Sequence, residues 1–152
     1  MTDDRNVSRR SFVLTVVATA AAAPLLAHAA DGDASSAGTD VGTLADYAQD
    51  GVTDTWAKTK KFLIVREKNR IVAVSSVCTH KNCVVKPKDG LLVCPCHGSR
   101  YSTQGSLQKG PGKGPLAHLG IQLIDSRIVV DPSRTFPEDQ WNQPGSFLTV
   151  ES

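Results

Sequence analysis

Aromatic residues are scarce in this chain: Phe, Trp and Tyr together make up 5% of its 152 residues, and there is a single Met. A core of that composition has to be assembled from Val, Leu and Ile, and these fall in short runs that suit strands better than helices. No stretch holds a helical hydrophobic period and no internal repeat is present, which excludes helical bundles and solenoid arrays. An excess of one charge is missing too. The formal net charge is +2, and from Asp31 onward 14 Lys and Arg stand against 13 Asp and Glu. Nothing in that balance argues for nucleic acid as a partner. The length is that of one domain.

What is present begins at the N-terminus. "SRRSFVLTVVATAAAAPLLAHAAD" has a charged start, an apolar stretch from Phe12 to Leu26, and Ala27-His28-Ala29 before Ala30, the three-part layout of an export signal. Arg9 and Arg10, followed by Phe12 and Leu14, resemble the twin-arginine signal that carries folded proteins across the bacterial inner membrane. The stretch is Ala-rich, holds Pro24, and is shorter than the roughly 20 strongly apolar residues of a spanning helix. We therefore expect residues 1–30 to be a signal cleaved near Ala29, leaving a periplasmic protein. A retained anchor, with the domain on the periplasmic side of the inner membrane, is the alternative. "DGDASSAGTD", 31–40, is small, polar and without periodicity, as in a flexible linker.

The rest reads as strands. "KFLIVRE" (61–67) and "RIVAVSS" (70–76) flank Lys68-Asn69, "GLLVC" (90–94) follows Lys88-Asp89-Gly90, and "LAHLGIQLID" and "RIVVD" flank Asp125-Ser126. The pattern predicts an all-β antiparallel domain over 41–131. "QKGPGKGPL", 108–116, reads as a loop of restricted shape. "DPSRTFPEDQWNQPG", 131–145, is proline-punctuated, so residues 132–152 are expected to wrap the domain as a tail, with a last short strand at "SFLTV". Trp56, Phe136 and Trp141 read as packing anchors.

All four cysteines lie in two groups, each with one histidine: Cys78-Thr79-His80-Lys81-Asn82-Cys83 and Cys94-Pro95-Cys96-His97-Gly98-Ser99. Of the other two histidines, His28 lies in the leader and His118 in a strand, where a structural role is expected. Three arrangements are open. A structural zinc takes four ligands, and six donors are too many for one ion. Two disulfides suit an oxidising compartment but leave both histidines idle. A [2Fe-2S] cluster held by two cysteines and two histidines, with the other cysteines bonded to each other, uses every residue once.

"CTHKNC" and "CPCHGSRY" resemble the two cluster-binding boxes of Rieske iron-sulfur proteins, of the disulfide-containing kind found in cytochrome bc complexes and in the small subunit of arsenite oxidase. The resemblance implies a Rieske-type antiparallel β sandwich with an inserted small cluster-binding subdomain, its loops spanning about 77–115, and one [2Fe-2S] cluster per chain. It implies Cys78 and Cys94 as ligands of one iron, His80 and His97 as ligands of the other, and a disulfide between Cys83 and Cys96. By the same analogy the Gly-Pro loop at 110–115 covers the cluster, His97 is exposed at its tip, the Ser99 hydroxyl donates to a bridging sulfide, and the Tyr101 hydroxyl donates to the Cys78 sulfur. Replacing two thiolates by neutral imidazoles raises the potential, to about −150 to +300 mV against about −400 mV for plant-type ferredoxins.

The function so implied is electron transfer, by a periplasmic carrier or the small subunit of an oxidoreductase complex, with a cytochrome or an oxidoreductase large subunit as partner. The alternative is a quinol-oxidising subunit of a cytochrome bc-type complex with a retained anchor. Lys81 and Asn82 stand where quinol-oxidising relatives carry an apolar residue and a glycine. Asn tolerates the left-handed backbone such a turn needs; an unpaired ammonium is costly in an apolar quinone pocket. Lys81, Lys86, Lys88, Arg100, Lys109 and Lys113 all fall in or beside the cluster loops, either as a solvated face or as a basic docking surface.

Overall fold

The computed structural model describes residues 38–151, so the expected export signal and residues 31–37 of the expected linker lie outside the described residues. Eleven strands follow: β1 (Thr39–Thr43), β2 (Gly51–Thr53), β3 (Phe62–Glu67), β4 (Arg70–Ser75), β5 (Lys86–Lys88), β6 (Leu91–Val93), β7 (Arg100–Tyr101), β8 (Leu107–Lys109), β9 (His118–Ile124), β10 (Arg127–Phe136) and β11 (Leu148–Thr149). The only helices among the described residues are single 3-10 turns at Leu44–Tyr47 and Glu138–Gln140, and none is long and apolar enough to cross a membrane. The expected all-β antiparallel class holds.

Seven strands form a large sheet in the order β1-β10-β9-β4-β3-β2, with β11 added beside β4. Its centre is the β3–β4 hairpin, with Phe62 opposite Ser75 and Glu67 opposite Arg70. Phe62 through Val65 and Ile71 through Val74 are all buried, because this sheet is covered on both faces and alternate residues enter different cores. Phe62, Ile64, Ile71 and Ala73 pack with Leu119, Ile121, Ile128 and Val130. Leu63, Val65, Val72 and Val74 pack the other way, against Val85, Leu92, Tyr101 and Leu116.

That second core is closed by a small four-stranded sheet, β5-β6-β7-β8. β4 and β9 are neighbours, with Val74 opposite His118 and the Ser75 amide donating to Ala117 at 2.9 Å. Residues 76–117 therefore leave the large sheet and return to it at one seam, as an inserted subdomain. Two hairpins are turned by pairs of left-handed residues, Asp89 (φ 52°) with Gly90 (φ 73°) and Asp125 (φ 48°) with Ser126 (φ 65°), the geometry that matches strand twist.

The structure adds to the sequence reading at the edges. β1 starts at Thr39, within the last residues of the expected linker. β10 runs on through Pro132 to Phe136, where a tail was expected; the register shifts between Asp131 and Thr135, so the proline sits in a bulge and removes no ladder bond. β1, β2, β5, β7 and β8 escape a sequence reading because each has two to five residues and at most one that is buried.

Beyond β10 the chain packs against β4 and β9. The Trp141 ring stacks on His118 with centroids 4.2 Å apart, and Arg70 donates to Trp141 O (3.0 Å) and Asn142 Oδ1 (3.1 Å) while lying 3.9 Å over the Phe147 ring. Phe136 is buried and Trp56 stacks on Phe62. His118 is 1% exposed and structural, its Nε2 2.8 Å from Gln104 O.

Candidate metal centre

Two loops leave the strands of the inserted subdomain and share one hydrogen-bond plan. In the first, the Cys78 amide donates to Cys83 O (2.8 Å) and Cys78 O accepts from the Asn82 amide (3.0 Å). In the second, the Cys94 amide donates to Ser99 O (2.8 Å) and Cys94 O accepts from the Gly98 amide (3.0 Å). Each turn needs a left-handed residue four places after its first cysteine, and Asn82 (φ 55°) and Gly98 (φ 75°) supply it, Asn82 as expected. A bridge between Val77 and Val84 closes the base of the first loop.

This plan puts the leading cysteine of each loop inside and its histidine toward the rim. Cys78 and Cys94 are free thiols, 0% and 1% exposed, in the apolar core with Leu92, Tyr101 and Leu116. The His80 and His97 rings meet edge to face with centroids 4.7 Å apart; His80 is half-buried and His97 exposed. Cys83 and Cys96 form a disulfide that ties the loops together, with Cα atoms 6.5 Å apart. Its sulfurs lie within 4.8 Å of the Cys94 sulfur. The spare cysteines thus clamp the loops and cover a buried thiol.

Tyr101 and Ser99 are both 0% exposed. The Tyr101 hydroxyl lies 3.3 Å from Cys78 Sγ and accepts the Thr79 amide proton at 3.3 Å. Thr79 is a residue that sequence reasoning passed over. Its hydroxyl donates to Gly114 O (2.9 Å) and accepts from the Lys113 amide (3.1 Å), tying the Gly-Pro loop to the first box. With the Thr79 proton committed to a carbonyl, the Tyr101 proton has two acceptors, Thr79 Oγ1 at 3.1 Å and Cys78 Sγ at 3.3 Å. The one signal for Thr79 in the sequence is its place between two ligand-type residues. Gly110 and Gly112 let the third loop close in: a Cβ at Gly110 would stand 2.6 Å from Ser99 Cα, and one at Gly112 2.8 Å from the Tyr101 hydroxyl.

Electrostatics follow the same layout. Burial raises the Cys78 thiol pKa, but donors led by the Tyr101 hydroxyl and the His80 backbone outweigh it and draw the thiol below its ordinary value. Burial holds the Cys94 thiol above its ordinary value. His80 is held below the usual imidazole range by desolvation first and then by the nearby His97, Lys81 and Lys113, so its ring is neutral and can offer a lone pair. His80 Nδ1 and Ser99 Oγ are buried without a hydrogen-bond partner in the protein.

The family model for the Rieske [2Fe-2S] domain matches residues 39–130. The chain is 39% identical over 75 residues to cytochrome b6-f complex iron-sulfur subunit 2 of Nostoc sp., covering 47% of this chain and 42% of that protein. It is 35% identical over 72 residues to the cytochrome b6-f complex iron-sulfur subunit of Chlorobaculum tepidum, covering 46% and 40%. The match thus spans less than half the length of these curated relatives. The soluble domain of the Rieske protein II of Sulfolobus acidocaldarius shares the fold, with a TM-score of 0.50 at 18% identity over 76% of this chain and 97% of that one.

Proposed function

The chain belongs to the Rieske [2Fe-2S] domain family, and we propose that it is a one-electron transfer protein, working as a periplasmic carrier or as the small subunit of an oxidoreductase complex. The observation that carries this reading is the donor set. Two free buried thiols and two imidazoles stand in twin loops, two orphaned polar atoms, His80 Nδ1 and Ser99 Oγ, lie among them, and the disulfide removes the other cysteines from competition. In this reading Cys78 and Cys94 hold one iron and His80 and His97 the other. When bound, the cluster supplies a reversible one-electron couple at about −150 to +300 mV.

The chain's own residues do the rest. With the Tyr101 hydroxyl donating to the Cys78 sulfur and Ser99 offering a hydroxyl with no competing partner, both would withdraw electron density from the centre and raise its potential. Depressing the His80 pKa favours the neutral ligand form. His97 is the exposed edge through which a partner exchanges the electron. Leu92, Leu116 and the disulfide keep water from the cysteine side. The Arg9-Arg10 leader supports export to the periplasm.

The test is direct. Purified protein is expected to be coloured, to carry two irons per chain, and to give a paramagnetic spectrum when reduced. A colourless, spectrally silent protein containing zinc would overturn the assignment.

A second reading, a quinol-oxidising subunit with a retained anchor, is supported by the names of the b6-f relatives. Exposed Lys81 beside His80 weighs against it, since an apolar pocket would have to bury an unpaired ammonium. A mature N-terminus near Ala30 is expected for the carrier, and an intact leader in the membrane fraction for the quinol-oxidising subunit.

A further inference from the structure

The near-neutral charge of the chain hides a strong separation. Residues 76–115 hold six Lys and Arg and one acid, Asp89, whereas the remainder from Asp31 holds eight Lys and Arg and twelve Asp and Glu. Register decides where the six cations go. Lys86 lies opposite Val93, Val93 opposite Arg100, and Arg100 opposite Lys109, so the four residues form one row across the small sheet on a single face. The adjacent row contains Leu92 and Tyr101, both 0% exposed. The cation row therefore faces solvent. Lys88 joins it two residues along β5, beside a cleft of about 110 Å³ that Arg100 also lines. Lys81 follows His80 in sequence, and the Lys113 amide bonds to Thr79, the residue before His80.

All six are exposed, and among the described residues none forms an ion pair; the ion pairs there are Arg66 with Asp50 and Arg127 with Asp40. Like charges set directly opposite, as in Arg100 and Lys109, work against sheet stability, so folding does not account for the row. An apolar contact does not account for it either: the one strongly exposed large hydrophobic side chain among the described residues is Leu123, on β9 of the large sheet.

We propose that the face formed by Lys81, Lys86, Lys88, Arg100, Lys109 and Lys113 around the paired histidines is the docking surface for an acidic face of a redox partner protein. The proposal rests on the electron-transfer reading and specifies its partner. The acidic remainder of the domain and this basic tip make a dipole, which turns the histidine end toward a negative partner before contact and raises the encounter rate. No atoms are exchanged; one electron passes between the reduced centre and an oxidised acceptor.

The test uses the cluster-loaded protein and two probes of one fold, lysine-rich cytochrome c and the same cytochrome with its lysines succinylated to carboxylates. Second-order rates of electron exchange are measured from about 10 mM to about 150 mM salt, over which the screening length falls from roughly 30 to roughly 8 Å. With the succinylated probe the rate is expected to fall roughly tenfold, and with the lysine-rich probe to stay flat or rise. Substituting Lys86→Gln, Arg100→Gln and Lys109→Gln together should remove most of that salt dependence and leave the reduced-state spectrum unchanged. Lys58→Gln with Lys60→Gln, outside the subdomain, should leave the salt dependence as it was. A salt-independent rate with the succinylated probe overturns the docking proposal. So does pelleting with phosphatidylserine-containing vesicles together with such a rate, which would assign the face to anionic lipid. A protein without cluster colour overturns both this proposal and the function it rests on; a coloured protein with salt-independent rates overturns the docking surface alone.

Discussion

The two sheets of this domain are held together in different ways. In the large sheet, β3, β4, β9 and β10 each bring several buried apolar residues, and the two faces of the β3–β4 hairpin enter separate cores. Each such side chain contributes roughly 1.5 to 3 kcal/mol on burial, and the sheet stands on that packing. In the small sheet the strands have two or three residues, and Leu92 and Tyr101 are its only fully buried strand residues. So little apolar surface does not offset the ordering of some forty residues at roughly 1 to 2 kcal/mol each. The small sheet depends on ties: the disulfide, the proposed ligand residues, and the bonds from Thr79 and Tyr101. The lesson is that one region specifies a shape and the other is a frame tightened around a site.

The hardest way to break this comparison is to remove a proposed ligand. Cys94→Ala is expected to abolish the reduced-state spectrum entirely and to speed amide exchange at Leu92 and Tyr101, while Ile64 and Ile71 in the large sheet keep their protection. Amides of both sheets exchanging together would show that the two form a single cooperative unit.

Next in size is the loop clamp. Replacing Cys83 and Cys96 together by Ala removes a crosslink between cysteines 13 residues apart, worth about 3 kcal/mol for a loop of that order. Two irons per chain should still load, with bleaching of the cluster at a lower temperature. A thermal bleaching curve identical to that of the parent protein would discount the clamp.

The large sheet has its own weak point, and it is acid. Desolvation pushes the buried His118 down to about 4, with the Arg70 charge acting in the same direction. Its folded pKa is below the unfolded value, so the unfolded chain binds the extra proton first. The stability associated with neutral His118 is complete above about pH 6.5 and is lost as pH falls toward about 4, by on the order of 2 to 3 kcal/mol. His118→Gln should flatten the denaturant midpoint across that window. Parallel pH curves for the two proteins would sink the assignment.

Smaller again is Gly112→Ala, whose Cβ would meet Leu107 Cδ1 and the Tyr101 hydroxyl at 2.8 Å. A cost of about 1 to 3 kcal/mol is expected, read as earlier bleaching of the cluster on heating with the large sheet unaffected.

The finest distinction is Tyr101→Phe, which deletes one hydrogen bond to Cys78 Sγ. A bond to a charged sulfur of about 1.5 kcal/mol corresponds to a potential lower by about 60 mV. Redox titration of the reduced-state spectrum measures it, and an unchanged potential would mean that the Tyr101 proton points at Thr79 instead.

Much of this was legible in advance, at particular residues. The runs at 61–67, 70–76, 116–125 and 127–131 read as strands because they are rich in Val, Ile and Leu, and Lys88-Asp89-Gly90 and Asp125-Ser126 read as the turns between such runs; both turns carry left-handed residues in the fold. Pro132 read as an end of structure because a ladder bond cannot start from proline; a bulge absorbs it, and bulges follow from strand pairing that local sequence does not carry. Thr79 stayed silent because a lone threonine has no pattern. Its partners, Tyr101, Lys113 and Gly114, lie 22 to 35 residues away.

The sequence by itself determined the inventory and the local geometry of the centre: four cysteines and two histidines in two short loops, Asn82 and Gly98 where each loop must turn left-handed, and six cations crowded between 76 and 115. The family resemblance already implied the Cys83–Cys96 bond and an exposed His97, and only the tertiary structure decided that His80 is half-buried beside it, that Thr79 ties the third loop to the first, and that Lys86, Arg100 and Lys109 share one row. The reason is physical. Spacing along a chain governs what a single loop can do, but pairing between loops and the face on which a side chain emerges depend on strand register, and a shift of one residue in β7 would turn Arg100 toward the core that Tyr101 now fills.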